Sequence, residues 1–189
     1  MKYQPQVTFS AQAIVVHSLM RMLDRVKAEE LDAFDYLPVL VHMAFAVEAY
    51  VNSIGFRKVQ GWEKIERRPW KMKIEILHSR IGVSADWNAE PLKVAPEIFA
   101  IRDRLAHSKP ESVVGPVCDD YHTAISMLYA QHLKPTLFAG LDRKAVLELG
   151  RRFYVLLNHL GALYRLEPDE FSSFSTSHVG RIADPGAKA

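Results

Sequence analysis

The sequence predicts an all-α protein, an up-and-down bundle of four to five longer helices with short additional helices. Three observations carry that prediction. Apolar residues recur mostly three and four positions apart, and no convincing hairpin pattern appears. Caps and breakers bound the periodic runs, among them Ser10, Gly55, Pro69, Gly82, Pro135 and Asp142. The 189 residues are 49% hydrophobic and 24% charged, the balance of a globular chain able to bury a core.

Ser10 is a good N-cap and opens a first helix to about Glu30, with Val15, Leu19, Met22 and Val26 on one stripe. The second helix covers roughly Tyr36 to Ile54, and Gly55 is its expected stop. It is apolar on most sides, as a central helix is. Glu48 and Asn52 interrupt it, four residues apart and on one face. They read either as a hydrogen-bonded pair in or beside the core, or as polar groups facing a cleft or dimer seam.

Phe56 to Lys73 is basic: Arg57, Lys58, Lys64, Arg67, Arg68, Lys71 and Lys73 stand against Glu63 and Glu66, with Trp62 and Trp70 between them. Cations mixed with aromatics suit a nucleic-acid backbone and its bases. The alternative is a solvated connection anchored to the core by its tryptophans. Pro69 fits the first turn of a third helix with Trp70, Ile74, Leu77 and Ile81 as its stripe, ended by Gly82.

A loop from Val83 to Pro91 leads to a fourth helix, from Pro91 or Val94 to His107, with Ile98, Ile101 and Leu105 as its seam. Irregular chain follows to Tyr121. A shorter helix spans about His122 to Leu133, with Ile125 and Leu128 facing inward and Pro135 closing it. Asp142 caps a final helix to about Leu166, where Val146, Leu149, Phe153, Leu156, Leu160 and Leu163 keep a regular three-four spacing. The chain reads as one helical domain over residues 1–167. Residues 168–189 turn to Ser, Gly and Pro and read as a flexible tail.

The net charge of +2 does not imply nucleic acid by itself. The single cysteine, Cys118, rules out a disulfide within the chain, so a reducing cytoplasm is the expected location. No signal core and no apolar run of membrane-spanning length is read, so no membrane partner is expected. The eight histidines are scattered and no zinc-ligand spacing is present, so no metal and no cofactor are expected. A glycine-rich phosphate loop and a Gly-x-Ser-x-Gly elbow are also missing from the sequence.

What remains is Arg102-Asp103-x-x-x-His107, at the expected end of the fourth helix. Arg102 offers a flat fork of donors suited to phosphate oxygens. His107 changes charge near neutral pH. Asp103, four residues earlier, is close enough in a helix to orient that imidazole. Arg104 and Lys109 are further candidates for backbone contacts. Residues five apart on a straight helix diverge by about 140°. Arg102 and His107 therefore converge only if the helix ends before His107 or if a second subunit completes the site. The plain reading is that Arg102 and Asp103 are surface charges and His107 interacts with the helix dipole. A second Arg-to-His spacing, Arg152 to His159, has Phe153 after the arginine and reads as a chance match.

The motif resembles that of the HEPN superfamily, helical domains many of which are metal-independent endoribonucleases. The resemblance extends loosely from Leu37 to Pro110: Phe45-x-x-Glu48-Ala49-Tyr50-x-Asn52 on the second helix, then the basic Pro69-x-Lys71-x-Lys73-Ile74, then the Arg-Asp-x-x-x-His helix. It implies a homodimer whose paired motifs meet at the interface. It implies RNA cleavage by 2′-OH attack, leaving a cyclic phosphate and a free 5′-OH. His107 would be general base or acid, Arg102 the stabiliser of charge on phosphate, and Asp103 the group that holds the imidazole. Such a protein is expected as a toxin or defence effector, with an antitoxin or another protein as partner. The alternative is a non-catalytic HEPN-like module that binds a nucleotide, nucleic acid or protein.

Overall fold

A computed structural model describes residues 2–29, 31–107, 109–129, 140–173 and 175–182. The chain is mostly helical, as expected. The helices are α1 (Ala11–Ala28), α2 (Ala33–Lys58), α3 (Trp70–Arg80), α4 (Val94–Ala106), α5 (Tyr121–Tyr129) and α6 (Arg143–Ala162). Short 3-10 turns follow α2 and α6, at Trp62–Lys64 and Glu170–Ser172. Two strands, β1 (Lys2–Phe9) and β2 (Ser175–Ile182), pair antiparallel.

Helix α2 is the centre. Asp32 caps it, accepting from the Phe34 and Asp35 N–H groups at 2.7 and 3.2 Å, and the Asp35 carboxylate returns to the Asp32 N–H. Its buried residues point to α1, α3, α4 and α6 alike, so an all-round apolar helix is what the packing requires. By length and composition α2 could also cross a membrane; here more than half of that stretch is buried by the other elements. One core cluster draws on α1, α2, α3, α4 and α6 and on Trp62 and Phe171.

Several boundaries differ from expectation. Helix α2 runs through Gly55 to Lys58, because Gly55 is a contact and not a stop. A Cβ there would fall inside the Trp62 ring, which lies fully buried against it. Gly82 does end α3, at φ 77°. In α1 the buried stripe is Ala13, Val16, Leu19, Leu23 and Val26, with Val15 and Met22 only partly covered. Leu128 of α5 faces solvent, Ile125 is half-buried, and Leu133 and Pro135 lie outside the described residues.

Packed chain continues past the expected tail boundary at residue 167. Phe171 is fully buried, edge-on to Tyr50 and Tyr154 at ring-centroid distances of 5.7 and 5.2 Å. Asp169 holds that turn in place. Its carboxylate accepts from the Tyr154 hydroxyl and the Asn158 amide, and its N–H donates to Asn158 Oδ1 at 2.9 Å. Beyond it, β2 aligns with β1 from Phe9↔Ser175 to Lys2↔Ile182. A low apolar content misled the reading, because one large aromatic in the right place suffices to dock a segment. Residues 183–189 lie outside the described residues.

Candidate functional site

The basic stretch does not form one surface. Lys58, Lys64, Arg67, Arg68 and Lys71 are exposed. Arg57 is ion-paired with Glu170, and its Nε donates to the Ser53 carbonyl at 3.1 Å. Lys73 is a correction: it is fully buried and cannot meet a nucleic acid from where it stands. Its Nζ donates to Glu48 Oε1 at 2.7 Å, to the Glu66 carbonyl at 3.0 Å and to Asn52 Oδ1 at 3.2 Å. Three acceptors match the three protons of an ammonium. Glu48 and Asn52 are thus the polar pair in the core's margin, and Lys73 is the partner that the sequence reading did not name.

The tryptophans are also spent on structure. Trp62 is in the core, and Trp70 is half-buried, stacked on Phe99 with centroids 4.1 Å apart and planes 3° from parallel. Trp87 meets Trp70 edge-on at 5.7 Å and carries Lys71 Nζ over its ring at 5.2 Å. This aromatic column continues to the motif, because the Arg102 guanidinium also sits over the Phe99 ring, 5.2 Å from its centroid.

Helix α4 ends at Ala106, and His107 is its C-cap, with a backbone N–H donating to the Asp103 carbonyl at 2.9 Å. The imidazole is exposed and has no hydrogen-bond partner among the described residues; Ser108 is outside them. The helix thus ends beside His107, whose N–H still closes the last helical bond, so the end of α4 does not by itself turn the imidazole toward Arg102. Asp103 does not hold the imidazole. Its Oδ1 lies 3.1 Å from Arg102 Nε instead, an ion pair between neighbours. Arg102 Nε is buried and that contact lacks hydrogen-bond alignment, so Nε has no hydrogen-bond partner among the described residues.

Arg104 and Lys109 are exposed. Arg104 borders a cavity of about 350 Å3 between α2, α4 and α6, lined by Leu40, Ile101, Leu149 and Arg152; Arg102 and His107 do not line it. The second Arg-to-His spacing serves the fold. Arg152 makes a two-pronged pair with Glu97 at 2.6 and 2.8 Å and also binds Glu90. That pairing pushes the Glu97 carboxyl below its ordinary range. His159 faces His78 across the α3–α6 seam, Nε2 to Nε2 at 3.3 Å. His78 was not singled out in the sequence, though it falls four residues after buried Ile74 and so on the inner face.

Among the described residues no three histidine, cysteine or acidic side chains cluster as a metal cage. The end of α4 presents an exposed imidazole, His107, and, five residues before it, a partly exposed arginine that lies over Phe99 and is ion-paired with Asp103. No protein-family model, no curated protein and no solved structure matches the chain.

Proposed function

We propose that the chain is a HEPN-like up-and-down bundle acting as a homodimeric, metal-independent endoribonuclease, with Arg102 and His107 as its catalytic pair. The observation that carries the reading is the exposed imidazole of His107 at the C-cap of α4, in the last turns of the helix that also carries Arg102. The partly exposed Arg102 guanidinium, held over the Phe99 ring, supports it further.

In this mechanism the 2′-oxygen attacks the adjacent phosphorus and the 5′-oxygen leaves. His107 takes the 2′-OH proton or gives one to the leaving oxygen. Arg102 meets the charge that builds on the non-bridging oxygens. Asp103 keeps Arg102 aligned through its ion pair, a role different from the one expected for it. Exposed Lys58, Lys64, Arg67, Arg68 and Lys71 supply phosphate contacts. The nucleophile belongs to the RNA, so the reaction proceeds in chelator.

The test is incubation of RNA with the full chain in excess chelator. Wild type should release cyclic-phosphate and 5′-OH ends, and His107→Ala or Arg102→Ala should lose at least about 100-fold in rate. Cleavage at an unchanged rate by His107→Ala would remove the mechanism. Sizing in solution should give a dimer.

One observation favours a second reading, a HEPN-like module that binds without cleaving. His107 lacks the orienting carboxylate that general acid–base work commonly uses. RNA retained by wild type with no cleavage, and retention lost in Arg102→Ala, would select that reading.

A further inference from the structure

We propose that His78 and His159 form a binding site for a divalent late first-row transition ion of the zinc, nickel and copper type, joining α3 to α6. His78 is 3% exposed, and its Nδ1 lies 2.8 Å from the Ile74 carbonyl oxygen. A carbonyl only accepts, so the proton of neutral His78 sits on Nδ1 and its Nε2 presents a lone pair. That lone pair faces His159 Nε2 at 3.3 Å. Two imidazole nitrogens on one tetrahedral ion, each about 2.0–2.1 Å from it, stand about 3.3–3.4 Å apart. The spacing therefore fits a shared ion.

Two further features point the same way. A ligating histidine is typically held by its other nitrogen on a carbonyl or carboxylate, and Ile74 does this for His78. The rings also meet edge to edge, with centroids 5.5 Å apart and planes tilted by 33°, so the nitrogens and not the ring faces converge. Both rings line a cavity of about 260 Å3 whose wall includes Ser84, Asp86 and Glu90. Glu90 is engaged by Arg152, and Asp86 accepts from the Asn88 N–H at 2.9 Å, so water is the expected occupant of the remaining coordination positions.

Imidazole donors select late transition ions over magnesium or calcium. In the metal-free protein the pair is joined by an N–H···N bond in which His159 donates. Metal binding moves that proton from Nε2 to Nδ1 of His159, with no net proton change when the pair is neutral.

The test is calorimetric titration of the metal-free full chain with zinc chloride and with nickel chloride, beside His159→Gln. Wild type should bind one equivalent per chain, and His159→Gln should bind at least about tenfold more weakly, one lost imidazole being worth about that much or more. X-ray absorption of the zinc-loaded wild type should show two imidazoles, a readout that stands even if the variant folds poorly. Absence of saturable binding up to about 1 mM metal, a Kd beyond which a site is not specific, overturns the proposal. So does equal binding by the two proteins, or fewer than two imidazoles on the ion.

Discussion

The Lys73 ammonium is held among Glu48, Asn52 and the Glu66 carbonyl with none of its surface exposed, whereas the Glu48 side chain is 37% exposed. The two ends of this pair are therefore not equivalent. Lys73→Met leaves a carboxylate that water can reach, and should cost about 1–2 kcal/mol in urea denaturation. Glu48→Ala strands a buried cation and should cost about 3 kcal/mol or more. The reverse order would refute the buried-cation account. If RNA binds, Lys73→Met should leave the salt dependence of binding unchanged. Arg67→Ala or Arg68→Ala should reduce its slope by about 0.7–1 per residue.

His159 gives a pH prediction at the same scale. Burial first, and His78 second, hold its pKa below the ordinary imidazole value of 6.5. The unfolded chain then takes up a proton before the folded one does. The stabilisation is full above about pH 6.5 and is lost as the pH falls below it. Asp86 and Glu90 across the cavity act in the opposite sense. Melting temperature should fall between pH 6.5 and 5, and His159→Gln should flatten that part of the curve. Neither Lys73 nor His78 looked buried as a residue type. Their positions did betray them, since Lys73 shares the Trp70, Ile74 and Leu77 face and His78 follows Ile74 by one turn.

At the scale of elements, periodicity was the reliable signal and caps were mixed. Ser10 stands at the N-cap of α1 but its side chain makes no cap bond, and the Asp32 box of α2 was not foreseen. Asp142 does cap α6, accepting from the Ala145 N–H at 2.7 Å, and Val146, Phe153, Leu156 and Leu160 are its buried stripe. The end of α4 was legible as one of two outcomes. What misled was glycine. Gly55 reads as a helix stop when only local chemistry is considered, but a long-range partner, Trp62, requires it to have no side chain. Gly55→Ala should therefore destabilise by about 1–3 kcal/mol through displacement of the Trp62 ring, even though alanine is the better helix former. A stabilised Gly55→Ala variant in thermal unfolding would contradict that packing.

At the scale of the molecule, the core extends beyond the helices. Phe171→Ala should cost about 3–4 kcal/mol, as for other buried phenylalanines, and truncation before residue 169 should cost at least as much. A truncated chain as stable as the whole would restore the tail to the exterior. The sequence did hold a hint of β1 in the alternation Tyr3, Pro5, Val7, Phe9. Its partner strand lies at the other end of the described chain and carries few apolar residues, so pairing between them has no local signature.

That pairing sets the order in which the fold can be completed. Helix α1 packs on its sequence neighbour α2, a contact that can form early, whereas α2 also packs on the distant α4 and α6. The ribbon instead joins residues 2–9 to residues 175–182. During synthesis β1 emerges first and waits with an open backbone edge until α6 and the Phe171 turn are made; Tyr3, Val7 and Phe9 stay exposed in the finished ribbon as well. The ribbon is thus a late contact, and its unpaired first strand is an edge to protect while the chain is still being made.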